Sequence, residues 1–376
     1  MPINSISPTW VSEVQQKSWG TLPTADNSSI GTDLAAWTGF KSLLEKGLTA
    51  GQTFSNGVVS TYSLVYTATG AYVGGVLAPN GDIHFVPYVA NRGQKVDSTG
   101  VVSTYSLVYS TPSGAYLGGV LSPNGDIHFI PNAASVGQKI SASGVVSTYS
   151  LVYTATGAYY GGVLSPNGDI HFIPYNAVIG QKISVSGVVS TYSLVYTTSA
   201  AYIGGVSSPN GDIHFVPNYA TVGQKVSASG VVSTYSLVYS VANAYKGGTL
   251  SPLGDIHFVP ISAAVGQKIS ASGVVSTYSL VYSVANAYAG GVLAPNGDIH
   301  FINQSAAVGQ KVSASGVVST YSLIRTGTNF YIGGLLDPKG DIHFIPYAGG
   351  VIQKISTLPA GSFNKSICLS PFLNKF

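Results

Sequence analysis

All seven histidines of this chain occupy one repeated position: His84, His128, His171, His214, His257, His300 and His343. Each lies two residues after an aspartate, namely Asp82, Asp126, Asp169, Asp212, Asp255, Asp298 and Asp341, so the two-residue alternation of a strand puts both side chains on one face. An imidazole beside a carboxylate can relay a proton, bind a metal ion, or be locked in place as a buried hydrogen-bonded group. Acid–base catalysis needs groups held in different environments, and seven near-equal copies supply the same one each time. Nothing else in the repeat completes a metal shell. The Asp-Ile-His word is therefore read as a structural network that joins neighbouring units, and no catalytic, cofactor-binding or metal-ligating residue is assigned. A second repeated pair, Gln94-Lys95 and its equivalents, reads as a rung on a strand or as a charged edge that discourages strand pairing.

These residues are carried by a long repeat. The word GVVSTYS starts at Gly57, Gly100, Gly144, Gly187, Gly230, Gly273 and Gly316, a step of 43 residues with one of 44. Each unit holds four strand-like words rich in Val, Tyr, Ile and Phe. A period of about 40–45 residues with four strands is the size of one β-propeller blade. The words AYVGGVLAP, DIHFVPY, GQKV and GVVSTYSLVY are assigned to strands a, b, c and d, strand a being innermost because Gly74 and Gly75 suit the crowded axis. The turn Pro79–Asp82 places Asn-Gly between strands a and b, a strong hairpin signal. The series begins with a d word at Gly57 and ends with a c word at Gln353-Lys354, so the first d strand must complete the last blade. The expected fold is all-β: a seven-bladed propeller of four-stranded blades over residues 57–356, closed by pairing of its N- and C-terminal strands.

Two segments lie outside the repeat. Residues 1–56 read as an extended arm followed by one amphipathic helix at about 32–46, with Trp10, Trp19, Trp37 and Phe40 as candidate assembly anchors. Residues 357–376 form an apolar tail, where Phe363, Phe372 and Phe376 are further anchors. Both extensions should leave the ring on one face.

The copies also provide an internal comparison. The d-to-a and b-to-c connections differ from blade to blade, whereas the a-to-b turn stays close to PNGD and the c-to-d turn close to SASG. In an antiparallel blade the two variable connections emerge on one face and the two constant turns on the other. The variable face is the candidate contact surface, with Tyr88, Asn91, Arg92, Tyr175, Asn176, Asn218, Tyr219 and Lys246 as its candidate contact residues.

Composition narrows the function. Charged residues make up 8% of the chain and the formal net charge is +3, so there is no basic field to attract nucleic acid. No run of about 18 apolar residues argues for membrane insertion. The single cysteine, Cys368, has no internal disulfide partner. No secretory signal pattern opens the sequence, and no cofactor is implied.

The words GGVLAPNGDIHFVPY and LSPNGDIHFIPYNA, with the ending LSPFLNKF, resemble the highly repetitive β-propeller structural proteins of tailed bacteriophage virions. The resemblance covers residues 57–376. It implies a structural or attachment protein of the phage particle, in the tail, a fibre or the head surface, made in the host cytoplasm and present in many copies. Its partners would be other virion proteins and a host surface glycan or receptor. No catalytic residues transfer from that family, and the expectation is of a protein that is not an enzyme. The alternative is a multivalent, lectin-like propeller binding carbohydrate at seven equivalent sites.

Overall fold

The computed structural model describes residues 58–111, 114–348 and 351–357, and for 58–60 the backbone only. The N-terminal arm, its helix with Trp10, Trp19, Trp37 and Phe40, and the tail residues Phe363, Phe372 and Phe376 lie outside the described residues. The described chain folds into seven four-stranded antiparallel sheets arranged as a seven-bladed propeller. In blade 1, strands a, b, c and d are Tyr72–Leu77, Ile83–Pro87, Arg92–Val96 and Val102–Ser106. Blade 7 takes strands a to c from Tyr331–Leu336, Asp341–Pro346 and Val351–Ser356, and its strand d from Val58–Ser63 at the start of the ring. Val58 pairs with Ser356, so both ends of the described chain meet on the face of the constant turns.

Glycine chemistry sets the axis. The first glycine of each strand-a pair has a positive φ, and a Cβ on Gly118 (φ +88°) would lie 2.8 Å from Gly161 Cα of the next blade. Only a residue without a side chain lets neighbouring blades approach that closely. Outward from the axis, each interblade space is filled by aromatic and aliphatic side chains from both neighbours. Tyr159, Ile170 and Phe172 of blade 3, for example, pack on Val120 and Ile130 of blade 2.

Strand d is shorter than the sequence suggested. Its word divides: VSTYS forms the strand, and the following LVY leaves the sheet and crosses to the next blade. The crossing segment is held by the glutamine of the neighbouring strand c. Gln138 Oε1 accepts hydrogen bonds from the backbone N–H groups of Val108 and Tyr109 at 3.0 and 2.8 Å, and Gln138 Nε2 donates to Tyr109 O. The same link recurs seven times, from Gln94 against Val65 and Tyr66 to Gln353 against Ile324 and Arg325. All seven glutamines are fully buried. The Gln-Lys pair is thus neither a simple rung nor a free edge: its glutamine joins one blade to the next.

The aspartates and histidines form a second scheme, which runs within a blade and not between blades as the sequence reading had it. Asp82 accepts a 2.6 Å hydrogen bond from Lys95 on strand c, and His84 Nδ1 is bonded to the Tyr105 hydroxyl on strand d at 3.3 Å. To reach strand b, the Tyr105 ring crosses strand c over Gly93, where a Cβ would meet the ring at 2.0 Å. Every blade repeats the pairing, with Lys–Asp distances of 2.5–2.7 Å and His–Tyr distances of 2.7–3.4 Å. Burial first, and the nearby lysine ammonium second, push His84, His128, His171, His214, His257 and His300 down to about 4.

Two predictions follow from these contacts. Gln224→Leu leaves the N–H groups of Val195 and Tyr196 without their acceptor. It should cost about 2–5 kcal/mol in urea unfolding, against under about 0.5 kcal/mol for the exposed Val231→Thr. The second concerns pH. Six histidines have folded pKa values below the unfolded value, so their stabilising neutrality is fully present above about 6.5 and is lost as pH falls from there through about 4. The melting temperature should therefore fall steadily from pH 7 to pH 4.5, and a flat profile would contradict the burial of neutral imidazoles.

Candidate functional site

The repeated aspartates and histidines are spread around the ring and do not converge on one cleft. Blade 7 departs from the pattern, because Asp337 stands in its a-to-b turn where blade 1 has Ala78. Asp337 Oδ2 lies 3.1 Å from His343 Nε2, and Asp337, Asp341 and His343 bring donor atoms within 4.8 Å of one another. The sequence reading assigned no metal ligand, and this is the group among the described residues whose geometry comes nearest to one. Its atoms already have protein partners: Lys354 donates to Asp341, Tyr62 is bonded to His343, and Asp337 Oδ1 accepts the N–H groups of Lys339 and Asp341. It reads as a local reinforcement of the closing blade.

The opposite face is different in kind. The b-to-c connections crowd the mouth of the central channel, where Tyr88 faces Tyr347 with ring centroids 6.5 Å apart. Tyr175 lies tilted against Tyr160 at 5.7 Å. Burial first, and neighbouring tyrosine hydroxyls second, raise the phenols of Tyr88 and Tyr175 above their ordinary value. The backbone of the same connections ties the rim together, with Ala115 N donating to Tyr88 O at 2.7 Å and Gly70 N to Tyr347 O at 2.9 Å.

The candidate contact residues divide into four groups. Tyr88 and Tyr175 are half-buried at the mouth; Asn91, Arg92 and Tyr219 are exposed, with Arg92 over the Tyr66 ring at 5.4 Å. Asn176 and Asn218 serve the frame. Asn176 Oδ1 accepts from Ala200 N and from the Ser199 hydroxyl, and the buried Asn218 donates to Asn243 Oδ1 and Tyr245 O. Lys246 is not a loop residue. It lies in strand a of blade 5, Tyr245–Leu250, and extends into the channel. There its Nζ donates to Gln304 Oε1 of blade 6 at 3.2 Å and stands 5.8 Å from the Tyr160 ring of blade 3. Contacts to blades on either side of blade 5, one of them two blades away, place this ammonium at the axis. Lys246 is half-buried, and burial pushes its pKa down to about 8.

Sequence reasoning missed Tyr160, Tyr347 and Gln304. A signal existed: the second residue of strand a is aliphatic in five blades, at Val73, Leu117, Ile203, Ala289 and Ile332, but is Tyr160 in blade 3 and Lys246 in blade 5. Comparing loops alone passed over a strand position that varies as much as they do. Below the mouth, the lower half of the channel holds a small cavity of about 60 Å³, lined mainly by strand-a glycines, valines and leucines with Thr249.

No family model matches this chain, and no curated protein matches its sequence. Solved structures do. The chain is similar to a streptogramin B lyase, with a TM-score of 0.71 and 21% identity over 81% of this chain and 99% of that one. It is similar also to virginiamycin B lyase from Staphylococcus aureus, with a TM-score of 0.69 and 20% identity over 80% and 99%. A third neighbour is the extracellular domain of a putative one-component system from B. thetaiotaomicron, with a TM-score of 0.59 and 11% identity over 81% and 40%. Likeness at these identities shows the seven-bladed propeller fold and transfers no residue roles. It also corrects the expectation that the chain is not an enzyme: the architecture is one on which lyases are built, so the fold does not argue against catalysis.

Proposed function

We propose that this propeller is a recognition and attachment module whose ligand surface is the face bearing the d-to-a and b-to-c connections, centred on the mouth of the channel. The observation that carries the reading is the concentration of blade-to-blade variation on this face, the constant face departing from its pattern only at scattered residues such as Asp97, Leu253 and Asp337. The a-to-b turns keep one backbone hydrogen-bond scheme around the ring, from Ala78 N to Asp82 O in blade 1 to Asp337 N to Asp341 O in blade 7. The variable face instead gathers Tyr88, Tyr160, Tyr175 and Tyr347, side chains that offer broad apolar contact and a polar edge at low entropy cost. Rigid scaffolds with changing loops are a common way to diversify recognition. The repeat wording supports a narrower version, attachment of a bacteriophage particle to its host, with the two extensions joining the ring to other particle proteins from the opposite face.

The test uses the full chain, fluorescently labelled, on bacterial envelope fractions. Tyr88→Ala with Tyr175→Ala should reduce bound protein about tenfold or more, whereas Asn210→Ala on the constant face should leave binding within about twofold. Equal losses from the two faces would overturn the assignment of the surface. Peptides of this chain in purified particles, read by mass spectrometry, would support the narrower version, and their absence from every particle preparation would remove it.

A further inference from the structure

We propose that the mouth of the channel is a single binding site for an acidic sugar, with the Lys246 ammonium receiving the carboxylate and the surrounding tyrosines receiving the pyranose ring; this rests on the reading of the variable face as the ligand surface.

The distribution of charge is the first support. The described carboxylates are the seven repeated aspartates, Asp97 and Asp337, and all sit in or beside the a-to-b and c-to-d turns of the constant face. The variable face carries Arg92, Lys246 and Arg325 and, among the described residues, no carboxylate. At the constant face each repeated aspartate is offset by its lysine, from Lys95 with Asp82 to Lys354 with Asp341, whereas the tyrosine-lined mouth lies at the end whose described charged side chains are all cationic.

Lys246 is the second. Each repeated lysine is matched to an aspartate, from Lys95 with Asp82 to Lys354 with Asp341. Among the described residues Lys246 meets only the neutral oxygen of Gln304 and the face of Tyr160. Gln304 is itself oriented, since its Nε2 donates to Asn329 Oδ1 at 2.8 Å and so turns its oxygen towards the lysine. An ammonium donates three hydrogen bonds, and Gln304 takes one. Burial that lowers the Lys246 pKa to about 8 marks a charge partly withdrawn from water with no counterion among the described residues, a cost that an arriving anion relieves.

The kind of anion follows from the walls. A phosphate backbone is bound by several cations along a groove, whereas here one ammonium stands at the axis. Half-buried tyrosines present ring faces with hydroxyl edges, while the amides of Asn132 and Gln304 in the b-to-c connections are bonded to Tyr159 O and Asn329 Oδ1 and hold the rim in place. Apolar ring faces, neutral hydrogen-bonding groups and one cation match a carboxylate-bearing pyranose such as a uronic or sialic acid. Because Lys246 is unique among the blades, occupancy is one ligand per ring.

The test is calorimetric titration of the full chain with oligosaccharides ending in glucuronic acid or N-acetylneuraminic acid, beside their neutral counterparts and inorganic phosphate. The expected result is one acidic sugar per chain, with neutral sugars and phosphate weaker by about tenfold or more. Lys246→Met should lose about tenfold or more in affinity, and Lys246→Arg should stay within a few-fold. Aliphatic residues at this position in five other blades make K246M compatible with the ring, and an unchanged melting temperature checks it. Stoichiometry near seven, equal binding of neutral sugars, preference for phosphate, unaltered affinity in K246M, or no binding of either acidic sugar would each overturn the site. Envelope binding through the variable face without acidic-sugar binding would overturn this inference alone and leave the surface assignment standing.

Discussion

The buried carboxamide that links each blade to its neighbour is the interaction on which this ring depends. A four-stranded blade has one free edge outside and a glycine-lined edge inside, and neither holds the next blade by itself. The glutamine of strand c supplies the connection, accepting two backbone N–H groups from the segment that arrives from the preceding blade, at 2.8–3.1 Å around the ring. Those N–H groups belong to a chain that has just left its sheet and has no ladder partner, so the side chain completes backbone bonding that the fold interrupts. A side-chain acceptor is also specific: its reach fixes where the crossing segment lies and hence the angle between blades.

With that link in place, other features acquire their roles. The glycines let strands a approach the axis, and the Asp–Lys and His–Tyr pairs stiffen each blade across strands b, c and d without connecting blades. The closing strand Val58–Ser63 uses the same link as the others, with Gln94 holding Val65 and Tyr66, and the closing blade adds the Asp337–His343 contact to it. Rigidity of this repeated kind leaves the b-to-c connections and the second residue of strand a free to vary at little structural cost. That freedom is why the channel mouth could acquire Tyr160, Lys246 and Gln304 while the frame stayed constant.

Much of the architecture was legible in the sequence because its signals are local and repeated. The period counted the blades, Asn-Gly placed the a–b hairpin, and the leading d word announced closure. Partners were less legible. Gln138 lies about 30 residues from Val108 along the chain, and nothing in a single GQK word says that its amide faces a neighbouring blade. The same limit sent the histidine network between blades when it runs within them, since the tyrosine that meets each histidine passes over a strand-c glycine whose purpose appears only in three dimensions. Lys246 was read as a loop residue, although it lies in strand a, whose second residue varies from blade to blade and in blade 5 reaches into the channel. The exclusion of enzyme chemistry failed for a different reason: it argued from seven equal Asp-Ile-His copies and from a resemblance that transfers no catalytic residues, and architecture of this class carries lyases.

The central claim is that recognition belongs to the variable face and its axial mouth. Amide hydrogen exchange of the full chain, with and without bound envelope polysaccharide, tests it most directly because it maps protection without choosing residues in advance. The account predicts slowed exchange in the b-to-c connections around Tyr88, Tyr175 and Gln304 and in strand a near Lys246, with the Pro79–Asp82 turn and its equivalents unchanged. Protection centred on those constant turns, or along the outer strands d, would contradict it.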